Sequence, residues 1–119
     1  MFTDALRDLV EGTEGALASL LMDFQGVPVE QYAKDSSPFN IEVVGAEFSV
    51  IVKSVQRAID SLEAGGTKEL AVQADKVTTL IRVLNNEYFV ALALGPDANL
   101  GKGRFMLRVA APKLLEELA

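Results

Sequence analysis

Neither cysteine nor histidine occurs in this chain of 119 residues, and tryptophan is missing too. Without cysteine there is no disulfide framework and no thiolate nucleophile. Without histidine the commonest general base and the commonest metal ligand are gone. A Ser-His-Asp or Cys-His mechanism cannot be assembled within one chain. No apolar run reaches the length of a membrane span. The start, Met1-Phe2-Thr3-Asp4-Ala5-Leu6-Arg7-Asp8, lacks a basic segment followed by an apolar core and does not read as a secretory signal. Positive charge is scarce, with 11 bases against 17 acids and a net charge of −6. Phosphate contacts demand a clustered basic face, so nucleic acid is set aside as a partner. These absences predict a cytoplasmic protein that is not an enzyme, is not inserted in a membrane, and has no catalytic, cofactor-binding or metal-ligating residues.

Apolar residues are what the chain has in plenty: they make up 50% of it, and the mean hydropathy is +0.24. The length fits a single domain, residues 1–119, with one core. The apolar excess predicts surface left over for a partner or a second copy.

The run Asn99-Leu100-Gly101-Lys102-Gly103-Arg104 invites a phosphate-loop reading that fails on spacing. That loop needs Gly, four residues, then Gly-Lys-Ser/Thr. Five residues separate Gly95 from Gly101, and Gly103 stands where the metal-binding hydroxyl belongs.

The periodicities predict α-β-β-α-β-β-β-α. A short helix covers 3–12, with Thr3 as N-cap and Leu6, Leu9 and Val10 on one face. Strands follow at Ala16–Met22 and Val27–Tyr32, joined by the turn Asp23-Phe24-Gln25-Gly26; Phe24 either packs under this turn or touches a partner. Pro28 cannot donate to a ladder, so the second strand lies at an edge or bends early. Lys34-Asp35-Ser36-Ser37-Pro38 is a loop. The longest helix runs from Phe39 to about Glu63, stopped by Gly65-Gly66. Its Ile41, Val44, Phe48, Val52, Val55, Ile59 and Leu62 lie within about 40° of one line and form the predicted core stripe, with Gly45 at its flank. Thr67–Ala74, Val77–Leu84 and Glu87–Leu94 read as strands, with turns at Asp75 and Asn85-Asn86. The last strand is nearly all apolar and should be central. Asp97 or Asn99 caps a final helix to about Leu118, which Pro112 should kink or divide. Short links between consecutive strands predict an α+β fold, a mainly antiparallel sheet with helices on its faces.

Gly15-Ala16-Leu17-Ala18-Ser19-Leu20-Leu21-Met22-Asp23-Phe24-Gln25-Gly26-Val27-Pro28-Val29, the long helix, and Asn99-Leu100-Gly101 followed by Arg104 and Leu107 together resemble the Roadblock family. That family takes in the Roadblock-type dynein light chains and the MglB regulators. The resemblance spans nearly the whole chain and implies a Roadblock/profilin-like, five-stranded antiparallel sheet. It also implies a homodimer formed by the long helix and the third strand, and binding to a small Ras-like GTPase. Gly103 and Pro112 depart from the usual pattern.

The residues give this surface independently. Val43, Ala46 and Val50 lie off the core stripe, and Lys53, Ser54 and Arg57 continue their side. Thr67–Val72, with Leu70 and Val72, is polar enough for an edge strand and regular enough to pair. These eight residues are the candidate partner or dimer interface. Arg57, Arg82, Arg104 and Arg108 read as surface or helix-end charges rather than arginine fingers, and Asp4, Asp8, Glu11 and Glu14 as a solvated acidic face. The expected function is a non-enzymatic homodimeric regulator of a small Ras-like GTPase. Alternatives are a structural adaptor for a motor or signalling complex, and a small-ligand sensor with a pocket lined by residues such as Leu20, Val90 and Leu92.

Overall fold

A computed structural model describes residues 2–35 and 37–119. Met1 and Ser36 lie outside the described residues, so the predicted Lys34–Pro38 loop is described apart from Ser36. The elements are α1 (Phe2–Glu11), β1 (Ala16–Asp23), β2 (Pro28–Ala33), α2 (Ile41–Ser61), β3 (Glu69–Gln73), β4 (Thr78–Val83), β5 (Tyr88–Leu94) and α3 (Leu100–Leu118). All strand pairs are antiparallel, in the order β2-β1-β5-β4-β3. The all-apolar β5 takes the centre, where both of its faces are covered, and the mixed strands β2 and β3 take the edges.

Two cores flank the sheet. On one face α1 and α3 enclose Leu6, Leu9, Leu21, Leu80, Leu92, Leu94 and Leu107. On the other, α2 closes over Leu20, Met22, Ile81, Phe89 and Ala91. Each buried leucine contributes about 1.5–3 kcal/mol of transfer free energy. Side chains alternate along β4 and its flanks: Leu80 and Leu84 belong to the first core, Val77, Ile81 and Val83 to the second.

Local chemistry fixes the joints. Asp23 Oδ1 accepts from the amides of Gln25 and Val27, both at 2.9 Å, and Gly26 takes the left-handed φ of 88° that this turn needs. Phe24 packs beneath the turn, its ring centre 5.4 Å from that of Phe89. Asn40 caps α2 by accepting from the Glu42 amide, and Asn99, rather than Asp97, caps α3 by accepting from the Lys102 amide.

Several expectations are corrected. Thr3 lies within α1 and is no cap; its hydroxyl donates to Glu30 on β2 at 3.0 Å. α2 stops at Ser61, before Gly65-Gly66, because Glu63 at φ 55° makes the reversal. β3 is trimmed to Glu69–Gln73. The β4–β5 link is longer than a two-residue turn: Asn85 Oδ1 accepts from the amides of Glu87 and Tyr88 and winds 84–87 into a wider loop. α3 runs undivided through Pro112, which sits on its exposed side. Gly103 is a packing device. A Cβ there would stand 3.2 Å from Leu80 and Leu94, so its absence lets α3 lie close on the sheet.

Candidate interaction surface

The buried line of α2 is Ile41, Gly45, Ser49 and Val52. It is rotated by about 60° from the predicted stripe, at 100° per residue. Val44, Phe48, Val55 and Ile59 are half-buried, and Leu62 is 72% exposed. Small residues explain the rotation. Gly45 meets Leu20 and Met22 so closely that a Cβ there would collide with the Leu20 side chain. Ser49 returns its hydroxyl to the Ala46 carbonyl at 2.7 Å, which satisfies it without a partner on the sheet. Close approach outweighs the larger area that the branched residues would bury.

The rotation widens the apolar outer face. Val43 is 62% and Val50 60% exposed, and Ala46, Ser54 and Arg57 are exposed beside them, with Lys53 half-buried. Ile51, unmarked by the sequence reading, is exposed on the flank. It fell between the predicted core line and the predicted outer line, and only the rotation reveals it. Arg57 donates to Ser54 at 3.1 Å, one turn away, and is tied down on the helix surface.

The main contacts of α2 are with β1 and β2. The sheet beyond, on β3 and β4, keeps Leu70, Val77 and Val83 half-buried at the fringe of the α2 core, with Val72 39% exposed. Leu70 and Val72 share one side of β3. Glu69 lies on the other side, where its carboxylate meets Arg104 of α3 at 3.4 Å as an ion pair without a hydrogen bond. The ladder phase of β3 is set by the bonds from Val83 N to Lys68 O and from Ala74 N to Val77 O. Residues 68, 70, 72 and 74 therefore bond to β4, while the backbone groups of Glu69, Ala71 and Gln73 point to the open edge.

The candidate residues thus form two surfaces, an apolar helix face and an unpaired sheet edge with part-covered apolar residues behind it. Of the arginines, Arg57 and Arg108 are exposed, Arg82 is half-buried in the sheet opposite Glu69, and Arg104 is held by Glu69. The proposed sensor pocket is overturned. Leu20 belongs to the α2 core and Val90 and Leu92 to the α1/α3 core, on opposite faces of the sheet, and all three are fully buried. Among the described residues, no three acids gather as a metal site would require, and no helix is long and apolar enough to cross a membrane.

No family model matches the chain, and no curated protein does. Solved structures do. MglC from Myxococcus xanthus is 37% identical over 98% of this chain and 98% of its own, with a TM-score of 0.71. A Roadblock/LC7 domain from Streptomyces avermitilis superposes with a TM-score of 0.86 at 14% identity, over 96% of this chain and 94% of that one. An MglB in a tetrameric arrangement gives 0.86 at 18% identity, over 94% and 83%. The two distant structures establish the fold. The sequence identity to MglC, sustained end to end over the helix–strand order described above, establishes kinship: this chain belongs to the Roadblock family.

Proposed function

We propose that the chain is a homodimer, joined through the outer face of α2 and the open edge of β3, that binds a small Ras-like GTPase and modulates its nucleotide cycle. The observation that carries this is the pairing of Val43, Val50 and Ile51 on α2 with the part-exposed Leu70 and Val72 beside an unpaired edge. A second copy related by a twofold axis would extend the sheet from β3 and cover both apolar surfaces at once. An MglB in a tetrameric arrangement supports self-association as a habit of this fold.

The chain has neither histidine nor cysteine, so the reading assigns it no chemical step. The dimer would act by binding one nucleotide state better than the other, which shifts the GTPase population. It would also hold the GTPase's own groups in position.

Light scattering coupled to size exclusion tests both parts, on the chain alone and with a small Ras-like GTPase loaded with GDP or a GTP analogue. The expected result is a self-associated chain, a dimer or a multiple of it, whose mass rises with one nucleotide form. Val50→Asp places a carboxylate in the contact and should halve the mass while leaving the melting curve of the fold in place. A wild-type monomer would overturn the dimer, and indifference to both nucleotide forms would replace the regulator with an adaptor.

A further inference from the structure

The charges of α3 run against its own dipole. A helix gains from acids in its first turn and bases in its last. α3 has neither. Lys102, Arg104, Arg108 and Lys113 fall within 100–113, where there is no acid, and Glu116 and Glu117 follow at the C-terminal end. Helix stability does not account for this order. Lys102, Arg108 and Lys113 are exposed, and among them stand Phe105, 49% exposed, and Val109, one turn further along the same face. The Lys102 ammonium lies 5.7 Å from the Phe105 ring centre, which keeps that ring at the surface beside a cation. This is a basic, apolar-studded stripe in a chain of net charge −6.

Alongside it on the same face of the sheet lies α1, whose exposed side carries Asp4, Asp8 and Glu11. Asp4 is paired with Arg7 at 3.0 Å. Glu11, the last residue of α1, also opposes its helix dipole. Asp8 and Lys113 border the shallow groove between the two helices, whose volume of about 30 Å³ leaves room for little more than a water. The groove therefore suits no small ligand. The exposed side of α1 carries three acids beside Arg7, and α3 is basic from Lys102 to Lys113 before Glu116 and Glu117, so the first part of α3 complements the α1 of a second copy.

We propose that the α1/α3 face is a second self-contact. Another copy of the chain docks here about a twofold axis, so that Lys102, Phe105, Arg108 and Val109 of each copy meet the Asp8 and Glu11 side of the other's α1. The contact lies across the sheet from α2 and does not depend on the β3 edge; with both in place the assembly is a dimer of dimers. The net negative charge is no obstacle, because screening beyond about 8 Å at physiological salt leaves mainly the facing charges to interact. An anionic membrane fits less well, since three exposed bases beside an acidic helix fall short of the cluster of about four to eight that such surfaces recruit.

The test is sedimentation velocity on the full chain over a range of concentration and salt. Lys102→Glu with Arg108→Glu reverses α3, and Asp8→Lys with Glu11→Lys reverses α1. Either pair should halve the mass of the wild-type assembly, and the chain carrying all four changes should regain it. High salt should have the effect of the single reversals. Lys102→Glu and Glu11→Lys run with the helix dipoles, so the melting temperature should not fall while the mass does; a merely structural role would move the two together. Equal mass for wild type and both reversals at every concentration and salt overturns the proposal. So does cosedimentation with phosphatidylserine vesicles that is lost on α3 reversal without any change in mass. Because the readout is a halving on α1 or α3 reversal, it stands apart from the Val50→Asp result, which reports on the other face.

Discussion

At Glu63 the backbone adopts φ 55°, a conformation that costs a side-chain-bearing residue about 1 kcal/mol. The position is dictated by the helix end. The Glu63 amide donates to the Asp60 carbonyl at 3.0 Å and the Ala64 amide to that of Ile59 at 3.3 Å, closing α2 with the pair of bonds that usually recruits glycine. Glu63→Gly should therefore stabilise the fold by about 0.5 kcal/mol once glycine's greater freedom in the unfolded chain is subtracted. Urea denaturation at fixed protein concentration reads this, and a loss of stability would show that the Glu63 side chain has a compensating role. Gly45 presents the opposite case. The Leu20 side chain and the Met22 thioether occupy the space where a side chain would go. Gly45→Val should destabilise by about 3 kcal/mol through overpacking against a fully buried leucine. A neutral result in the same denaturation assay would mean that α2 can lift from the sheet at little cost.

On the scale of elements, α2 shows what a sequence pattern conveys and what it does not. The apolar period marked a helix with one inward side, and the structure has one. But periodicity weighs hydrophobes, whereas contact distance is set by the smallest residues, so Gly45 and Ser49 claimed the seam that the branched side chains seemed to own. Phe48, taken as core, is half-buried at the edge of the cluster. Its truncation to alanine should accordingly cost about 2 kcal/mol rather than the 3–5 kcal/mol of a fully enclosed phenylalanine; calorimetry giving the larger figure would place the ring inside a contact that the isolated chain lacks. β5 was legible because an unbroken apolar run suits only a doubly covered strand. Both edge strands were legible because Pro28 and the polar start of β3 disqualify them from the middle. Pro112 misled because its cost falls on one backbone bond at the exposed side of α3, where the freed Arg108 carbonyl can meet water. The candidate surface was legible in its valines, which had no place in the core stripe. Ile51 was hidden, because its exposure follows from a rotation that no periodicity encodes.

On the scale of the whole molecule, the open edge of β3 decides between two ways of making the proposed dimer. If the contact is made by α2 alone, the backbone of β3 is a bystander. If the sheet continues across the twofold axis, the outward amides at Glu69, Ala71 and Gln73 must donate to the second copy. Proline at an outward position removes one of those donors and no bond to β4, which is why proline is tolerated on edge strands. Ala71 is exposed, and its amide is the central one of the three. Ala71→Pro should leave the monomer folded and weaken self-association through this edge by about tenfold, the loss of roughly one net hydrogen bond with the geometry around it. Val72→Pro, one residue along, should instead cut the β3–β4 ladder and lower the melting temperature. Sedimentation equilibrium and thermal unfolding on the two variants separate the cases: an association constant unmoved by Ala71→Pro, with Val50→Asp still halving the mass, would assign the contact to the helix faces alone.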